Sequence, residues 1–232
     1  MGLRWRPDVL LLCTQKGVVG VGSPDDLILF RSDDATDTVR VNIAALDGAS
    51  THQLDGHSRI SHASGFIEGH RTLLEQLGDI DGWEQRRRWM YNRVVDEPRL
   101  TNEYRDLSLA PNMLREIASA LSAYYNVRYD GIWMNWYRDQ RDSTSWHADR
   151  PVNVAPAAVV PVVSLGDTRR FLIRPNGGGS SVALTVGGGD VVVMHGRSQR
   201  DWQHCVPKQK RPATARMSLN FTSTAQVREA LS

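Results

Sequence analysis

The spacing His147-Ala148-Asp149 constrains this chain more than any other feature. In a strand, alternate residues project from one face, so the imidazole and the carboxylate can reach a common point while Ala148 turns away. His204, inside Asp201-Trp202-Gln203-His204, lies far downstream and can join them only if a distant strand folds back beside the first. Two imidazoles and one carboxylate on one face of an ion leave the opposite positions open. That facial arrangement suits non-haem iron(II), a bidentate co-substrate and oxygen. A lone His-x-Asp is common by chance, and it is His204 and then Arg216 at fitting separations that give the pair weight.

The texture of the chain agrees with such a folding-back. From Tyr129 onward, short β-rich runs follow one another: Gly131 to Tyr137, Val159 to Leu165, Arg170 to Arg174, Ser181 to Leu184, Asp190 to Met194 and Arg216 to Thr222. Glycine and proline clusters punctuate them, as in Pro175-Asn176-Gly177-Gly178-Gly179 and Gly187-Gly188-Gly189. Strands of this length between such turns predict a sandwich or barrel. Upstream, Leu73, Leu74 and Leu77 at helical spacing before Gly78 predict one helix. Met113, Leu114, Ile117, Leu121 and Tyr124 predict a second, over Asn112 to Tyr125, with Pro111 in its first turn and the stripe facing the core. The expected class is α+β, mainly β: a jelly roll with N-terminal helices packed against one sheet.

Residues 1 to 50, with short apolar patches among Gly, Asp and Ser, are expected to form an extension of unassigned role, and 51 to 232 the functional domain. Within it, about 83–110 is expected to face the substrate and about 129–223 to form the jelly-roll core. A chain of 232 residues fills one such domain. His52, His57, His62 and His70 fall close together but have no acidic or cysteine companion at ligand spacing, so they are expected on the surface.

The formal charge of +2, from 28 Lys and Arg against 26 Asp and Glu, neither requires nor excludes a nucleic-acid partner. Local clustering is more telling. Arg86, Arg87, Arg88, Arg93, Arg99 and Arg105 could contact phosphates, or could be solvated side chains on a helix or loop. Cys13 and Cys205 are too few for a disulfide framework, which suggests a reducing, cytoplasmic setting. The run Val9 to Cys13 is too short to span a bilayer, and no membrane association is expected.

From about Trp83 to Phe221 the chain resembles the AlkB family of iron(II)- and 2-oxoglutarate-dependent dioxygenases. The resemblance rests on Pro98-Arg-Leu-Thr101, Asn135-Trp-Tyr137-Arg-Asp139, Asp142-Ser-Thr-Ser-Trp-His147-Ala-Asp149, Ser164-Leu-Gly166, Thr168-Arg-Arg-Phe171, Gly189-Asp190-Val-Val-Val-Met194, Asp201-Trp-Gln-His204 and Arg216-Met-Ser-Leu-Asn-Phe221. It implies the double-stranded β-helix form of the jelly roll, with iron(II), 2-oxoglutarate and oxygen as cofactor and co-substrates. It makes His147, Asp149 and His204 the metal ligands, with no other catalytic side chain. It also assigns Arg216 to the distal carboxylate of 2-oxoglutarate, with Asn135 and Tyr137 as further donors. The geometry suits Arg216, since a guanidinium grips a carboxylate through two charge-assisted hydrogen bonds. Without the resemblance, Asn135 and Tyr137 would read equally as the polar face of an alternating strand.

Three departures accompany the match. The second arginine of the family's Arg-x5-Arg element falls at Thr222, the intervening asparagine at Ser218, and Arg150-Pro151 follows Asp149 where some relatives place a carboxylate. Ser218 and Thr222 are expected beside the co-substrate, with weaker binding or a substitute donor as the consequence. The segment from Tyr104 to Pro111 is short for an aromatic hairpin that clamps a flipped base. Tyr104, Trp89 and Tyr91 are candidate stacking platforms or partly buried core aromatics, and Arg99 is a candidate substrate contact.

The implied activity is oxidative removal of alkyl groups from bases of DNA or RNA, coupled to conversion of 2-oxoglutarate to succinate with release of an aldehyde. The implied assembly is a monomer. An oxygenase acting on a protein or small molecule, and a catalytically weakened nucleic-acid-binding module, are the alternatives.

Overall fold

A computed structural model of the chain describes residues 38–90, 92–149 and 157–226, with the side chain of Met90 left aside. They belong to a compact unit running from Thr36 onward. Its strands are β1 (Arg40–Val41), β2 (Ser50–Gln53), β3 (Ser58–Ala63), β4 (Ile67–Glu68), β5 (Arg87–Met90), β6 (Arg93–Asp96) and β7 (Leu100–Tyr104). They continue as β8 (Gly131–Tyr137), β9 (Ala158–Gly166), β10 (Arg169–Pro175), β11 (Val182–Val186), β12 (Val191–Gly196), β13 (Trp202–Cys205) and β14 (Arg216–Thr222). Helices α1 (His70–Gly78) and α2 (Asn112–Tyr125) precede β5 and β8, and the four-residue α3 (Ser198–Asp201) precedes β13.

Among the described residues, a seven-stranded sheet has the order β2-β3-β12-β9-β14-β8-β7, and a three-stranded sheet the order β11-β10-β13. Every pairing is antiparallel. An isolated bridge between His147 and His204 adds the segment before Asp149 to the free edge of β13. From β8 onward the chain therefore alternates between sheets: β8 in the large sheet, the His147 segment in the small one, β9 back in the large, β10 and β11 in the small, β12 in the large, β13 in the small and β14 in the large. That alternation is the double-stranded β-helix.

Period-two patterning explains why β14 and β8 serve two environments at once. Met217, Leu219 and Phe221 of β14, with Ile132 and Met134 of β8, join a core beneath the helices, where they meet Leu73 and Leu77 of α1 and Leu114, Ile117 and Leu121 of α2. A second core between the sheets packs Val160, Val162 and Met194 against Phe171, Ile173 and Leu184. The intervening positions, Trp133, Asn135 and Tyr137 on β8 and Arg216, Ser218 and Asn220 on β14, all line a cavity. One face of each strand holds the fold together, and the other is free to be polar.

The helices and the later strands lie close to their expected places. β8, β14 and α2 match their expected bounds. Several expectations need correction. Tyr124 is 40% exposed and not in the core, its hydroxyl donating to Asp47 at 3.0 Å. His52 and His57 lie on the surface, but His62 does not: it pairs with Asp190 at 2.9 Å. His70 accepts the backbone N–H of Gly166 at 3.2 Å. An expected domain boundary at residue 50 cuts through the unit, since β1 pairs with β4 and Leu46 is buried in the helix-side core. Residues 1–37, most of the expected extension, lie outside those described. Polar strand β2, and β5, β6 and β7, carry no apolar alternation that would have marked them.

Two buried polar groups make the fold sensitive to acid. Burial pushes the Asp190 carboxyl up, but hydrogen bonds from His62 and the N–H groups of Gly187 and Gly65 outweigh it and hold the group below the usual range. Burial, helped by the charge of Arg59, pushes the His195 imidazole down to about 4 from 6.5. His195 is thus kept neutral beside Ser61, with a nitrogen 2.8 Å from its hydroxyl. A folded-state pKa below the unfolded one contributes stability above pH 6.5, which is lost as pH falls toward 4. The melting temperature should fall across that window by the equivalent of at most roughly 3 kcal/mol from this residue. His195→Gln should flatten that part of the slope, and an unchanged slope in calorimetry would assign the loss elsewhere.

Candidate metal centre and cavity

The structure brings His147, Asp149 and His204 together from segments remote in sequence. One ligand atom from each lies within 4.8 Å of the other two. Nε2 of His147 and Nε2 of His204 each stand 3.7 Å from Oδ1 of Asp149. The convergence follows from the bridge, in which the backbone N–H of His147 donates to the His204 carbonyl at 3.1 Å and the reverse bond measures 2.8 Å. The sequence expectation of a strand running through Asp149 is not met: regular pairing ends at His147, and Asp149 belongs to no strand.

The His147 ring has a reason to offer its outer nitrogen, and the His204 ring a reason to be neutral. Nδ1 of His147 donates to the Ser145 carbonyl at 2.8 Å, which fixes the tautomer and leaves the Nε2 lone pair toward Asp149. His204 is 5% exposed and stacks on Phe171 with centroids 5.3 Å apart. Burial lowers its pKa to about 4, so at neutral pH the ring is uncharged and can accept a cation. Asp149 is held from behind: Oδ2 accepts from Nε2 of Gln199 at 2.9 Å, and its backbone N–H donates to Oε1 of the same amide at 2.8 Å.

Across the cavity, Arg216 is 1% exposed. Its Nε donates to Oγ of Ser164 on β9 at 3.0 Å, and its guanidinium lies 5.1 Å from the Tyr137 ring centre. Nη1 is buried with no hydrogen-bond partner, and among the described residues no carboxylate pairs with this side chain. Burial pushes its pKa down, but a guanidinium remains protonated. A buried positive charge with an unused donor is costly unless a ligand completes it, and a carboxylate matches it best. Three ligand atoms able to hold one ion and a buried donor for an acid share a cavity of about 1190 Å³.

The other sequence candidates fall into two groups. Asn135, Tyr137, Ser218, Thr222, Tyr104 and Arg99 line the same cavity. Asn135 is tied into the frame: Nδ2 donates to Ser218 at 3.1 Å, while Oδ1 accepts from Arg99 at 2.9 Å and from Trp133 at 3.1 Å. Arg99 also pairs with Glu97 at 2.7 Å, so it is a brace within the site and not a free cation at its mouth. Trp89 is 69% exposed on the β5–β6 hairpin and is not among the cavity's lining, and Tyr91 lies outside the described residues. That hairpin, upstream of the segment judged too short to carry one, was not legible in the sequence. Of the clustered arginines, Arg86 stacks on Trp133 at 4.2 Å, Arg87 pairs with Asp96 at 3.0 Å and Arg105 with Glu103 at 3.0 Å. Arg88 reaches Ser145, beside His147, at 2.8 Å.

Sequence reasoning missed Gln199, and it gave no role in the site to Ser164 or Arg169, which entered only as parts of matching motifs. Arg169 is 1% exposed and donates to the carbonyls of Asp139, Asp142 and Pro207 at 3.0, 2.8 and 2.7 Å. It thereby ties the loop before His147 to the segment after His204. Ser164 could have been found, because the alternation that makes Val160 and Val162 inward-facing places Ser164 on the same side. Gln199 carried no local signal.

A double-stranded β-helix with two histidines and an aspartate converging beside a buried arginine defines a class of non-haem iron oxygenases that use a keto acid as co-substrate. The chain belongs to the 2OG-Fe(II) oxygenase superfamily, whose sequence model matches residues 67–226. Its cofactor and co-substrates are therefore iron(II), 2-oxoglutarate and oxygen. It is homologous to AlkB-family proteins. Alpha-ketoglutarate-dependent dioxygenase alkB homolog 3 of Mus musculus is 29% identical over 189 residues, covering 72% of this chain and 66% of that protein. DNA oxidative demethylase ALKBH2 of Arabidopsis thaliana is 28% identical over 145 residues, covering 51% and 46%. The chain thus spans no more than about two thirds of these relatives. The structure of OsALKBH1 superposes with a TM-score of 0.54 at 14% identity over 75% of this chain and all of that one, a likeness of fold.

Proposed function

We propose that the protein oxidatively dealkylates N-alkylated bases in DNA or RNA, with His147, Asp149 and His204 as the iron ligands and Arg216 as the anchor for 2-oxoglutarate. The observation that carries this reading is the unpartnered, buried Nη1 of Arg216 in the same cavity as the histidine and aspartate cluster. A metal cluster alone would fit many reactions, whereas the added carboxylate receptor fits a keto diacid.

Iron bound at this site supplies oxygen activation, coupled to decarboxylation of 2-oxoglutarate to succinate and oxidation of the alkyl carbon. The chain's own residues place the reactants. Arg216 holds the distal carboxylate with its orientation set by Ser164. Asn135, braced by Arg99 and Trp133, keeps a polar wall beside it. The hydroxylated alkyl carbon on a base nitrogen falls apart to an aldehyde and the restored base without a strong general base. The nucleic-acid substrate is supported by the name of one relative, a DNA oxidative demethylase, and by Arg88, Arg105 and Tyr104 at the cavity. A monomer in a reducing, cytoplasmic setting completes the proposal; the buried free thiol of Cys205 is in keeping with it. Among the described residues no helix is long and apolar enough to cross a membrane.

The test measures succinate and aldehyde with methylated single-stranded DNA or RNA, the unmodified strand, and no strand. Succinate stimulated by the methylated strand, with matching aldehyde, is the expected result. Basal succinate that no alkylated strand raises would move the substrate to a protein or small molecule.

A further inference from the structure

Gln199 is 1% exposed, on the short helix α3, and both ends of its amide are spent on one residue, Asp149. Nε2 donates to Oδ2 of Asp149 at 2.9 Å, and Oε1 accepts the Asp149 backbone N–H at 2.8 Å. The opposite amide orientation would set oxygen against carboxylate oxygen and N–H against N–H, so the two contacts fix each other. The Sδ of Met194, 3.2 Å from Nε2, closes the third side. Oδ1 of Asp149 is left to face both histidines, 3.7 Å from each Nε2.

This clamp replaces something a strand would otherwise provide. The ladder ends at the His147 bridge, so no β-pairing fixes the backbone at Asp149, and a single-bonded carboxylate could rotate either oxygen toward the histidines. We infer that Gln199 is the positioning residue of the metal site: it sets the main chain at Asp149 and occupies Oδ2, so that the carboxylate offers Oδ1 alone. The inference rests on the proposed ligand assignment. Partners that orient a ligand from behind typically change metal affinity by about 10- to 100-fold when removed.

The test titrates the metal-free protein with cobalt(II), following its visible absorption, for the wild type, Gln199→Leu, Gln199→Glu and Asp149→Ala. Gln199→Glu keeps the shape and the acceptor for the Asp149 N–H but sets a like charge against Oδ2, so it remains informative if Gln199→Leu fails to fold. Cobalt dissociation constants raised about 10- to 100-fold, with an altered band shape, are expected for both Gln199 variants. Thermal melts of the metal-free forms separate this from unfolding. Wild-type affinity and spectrum in the Gln199 variants, alongside lost binding in Asp149→Ala, would overturn the role of Gln199 alone. Wild-type affinity in Asp149→Ala would overturn the ligand assignment and this inference with it.

Discussion

Replacing Asp149 by alanine is expected to abolish turnover, with metal affinity falling by more than the roughly 100-fold that loss of an outer-shell partner costs. The two imidazoles would remain, but a site with one ligand fewer and no negative charge holds a hard divalent cation poorly. The fold should survive, because Asp149 is partly exposed and belongs to no strand, and its partners are two contacts from Gln199. The backbone contact survives the substitution, and losing the carboxylate leaves one buried amide N–H of Gln199 short of that acceptor, worth about 1–3 kcal/mol. Succinate formation, cobalt(II) titration and a circular-dichroism melt on the same preparation check all three statements. Retained turnover would remove Asp149 from the ligand set.

Arg216→Met is expected to dissociate co-substrate binding from stability, in opposite directions. Hydrogen bonds to charged groups contribute about 1.5–3 kcal/mol, so losing the guanidinium should raise the 2-oxoglutarate requirement roughly 100-fold. The ligand-free protein should melt no lower, and higher if methionine fills the space. Arg216 is buried without a carboxylate partner, with Nη1 unsatisfied, and exchanging such a group for an apolar one of similar volume is often neutral or stabilising. Functional groups commonly carry this kind of stability cost. An unchanged 2-oxoglutarate requirement would show that another side chain anchors the acid, whereas a lower melting temperature would show that Ser164 and Tyr137 already satisfy Arg216.

Thr222 stands where the resemblance leads one to expect a second arginine, and it lines the cavity from the exposed end of β14. Ser218, the other departure, is one strand away from Asn135 and accepts its amide at 3.1 Å. Both departures lie on the wall of the cavity. Arg99, read from the sequence as a substrate contact, pairs with Glu97 and donates to Asn135 in the same wall, so the polarity around Asn135 is partly supplied by the bend before β7.

The residues legible in advance share one property: their role follows from a local period. The helical stripe through Leu114, Ile117 and Leu121 and the alternation in Gly131–Tyr137 and Arg216–Thr222 state within a few positions which face each side chain takes, whereas the two-residue spacing of His147 and Asp149 picked out a pair that the structure does bring together, but not through a strand. Those periods, with His204 and Arg216 placed by resemblance, were enough for the fold class and the candidate ligands. Only the tertiary structure decided what holds these groups in place. Gln199 behind Asp149, Ser164 behind Arg216, Arg99 behind Asn135 and Arg169 between the two ligand-bearing segments act across sheets and loops. A side-chain hydrogen bond between residues tens of positions apart imposes no periodicity on either neighbourhood, so even where alternation gives the facing of a residue such as Ser164, nothing local records its partner until the chain has folded.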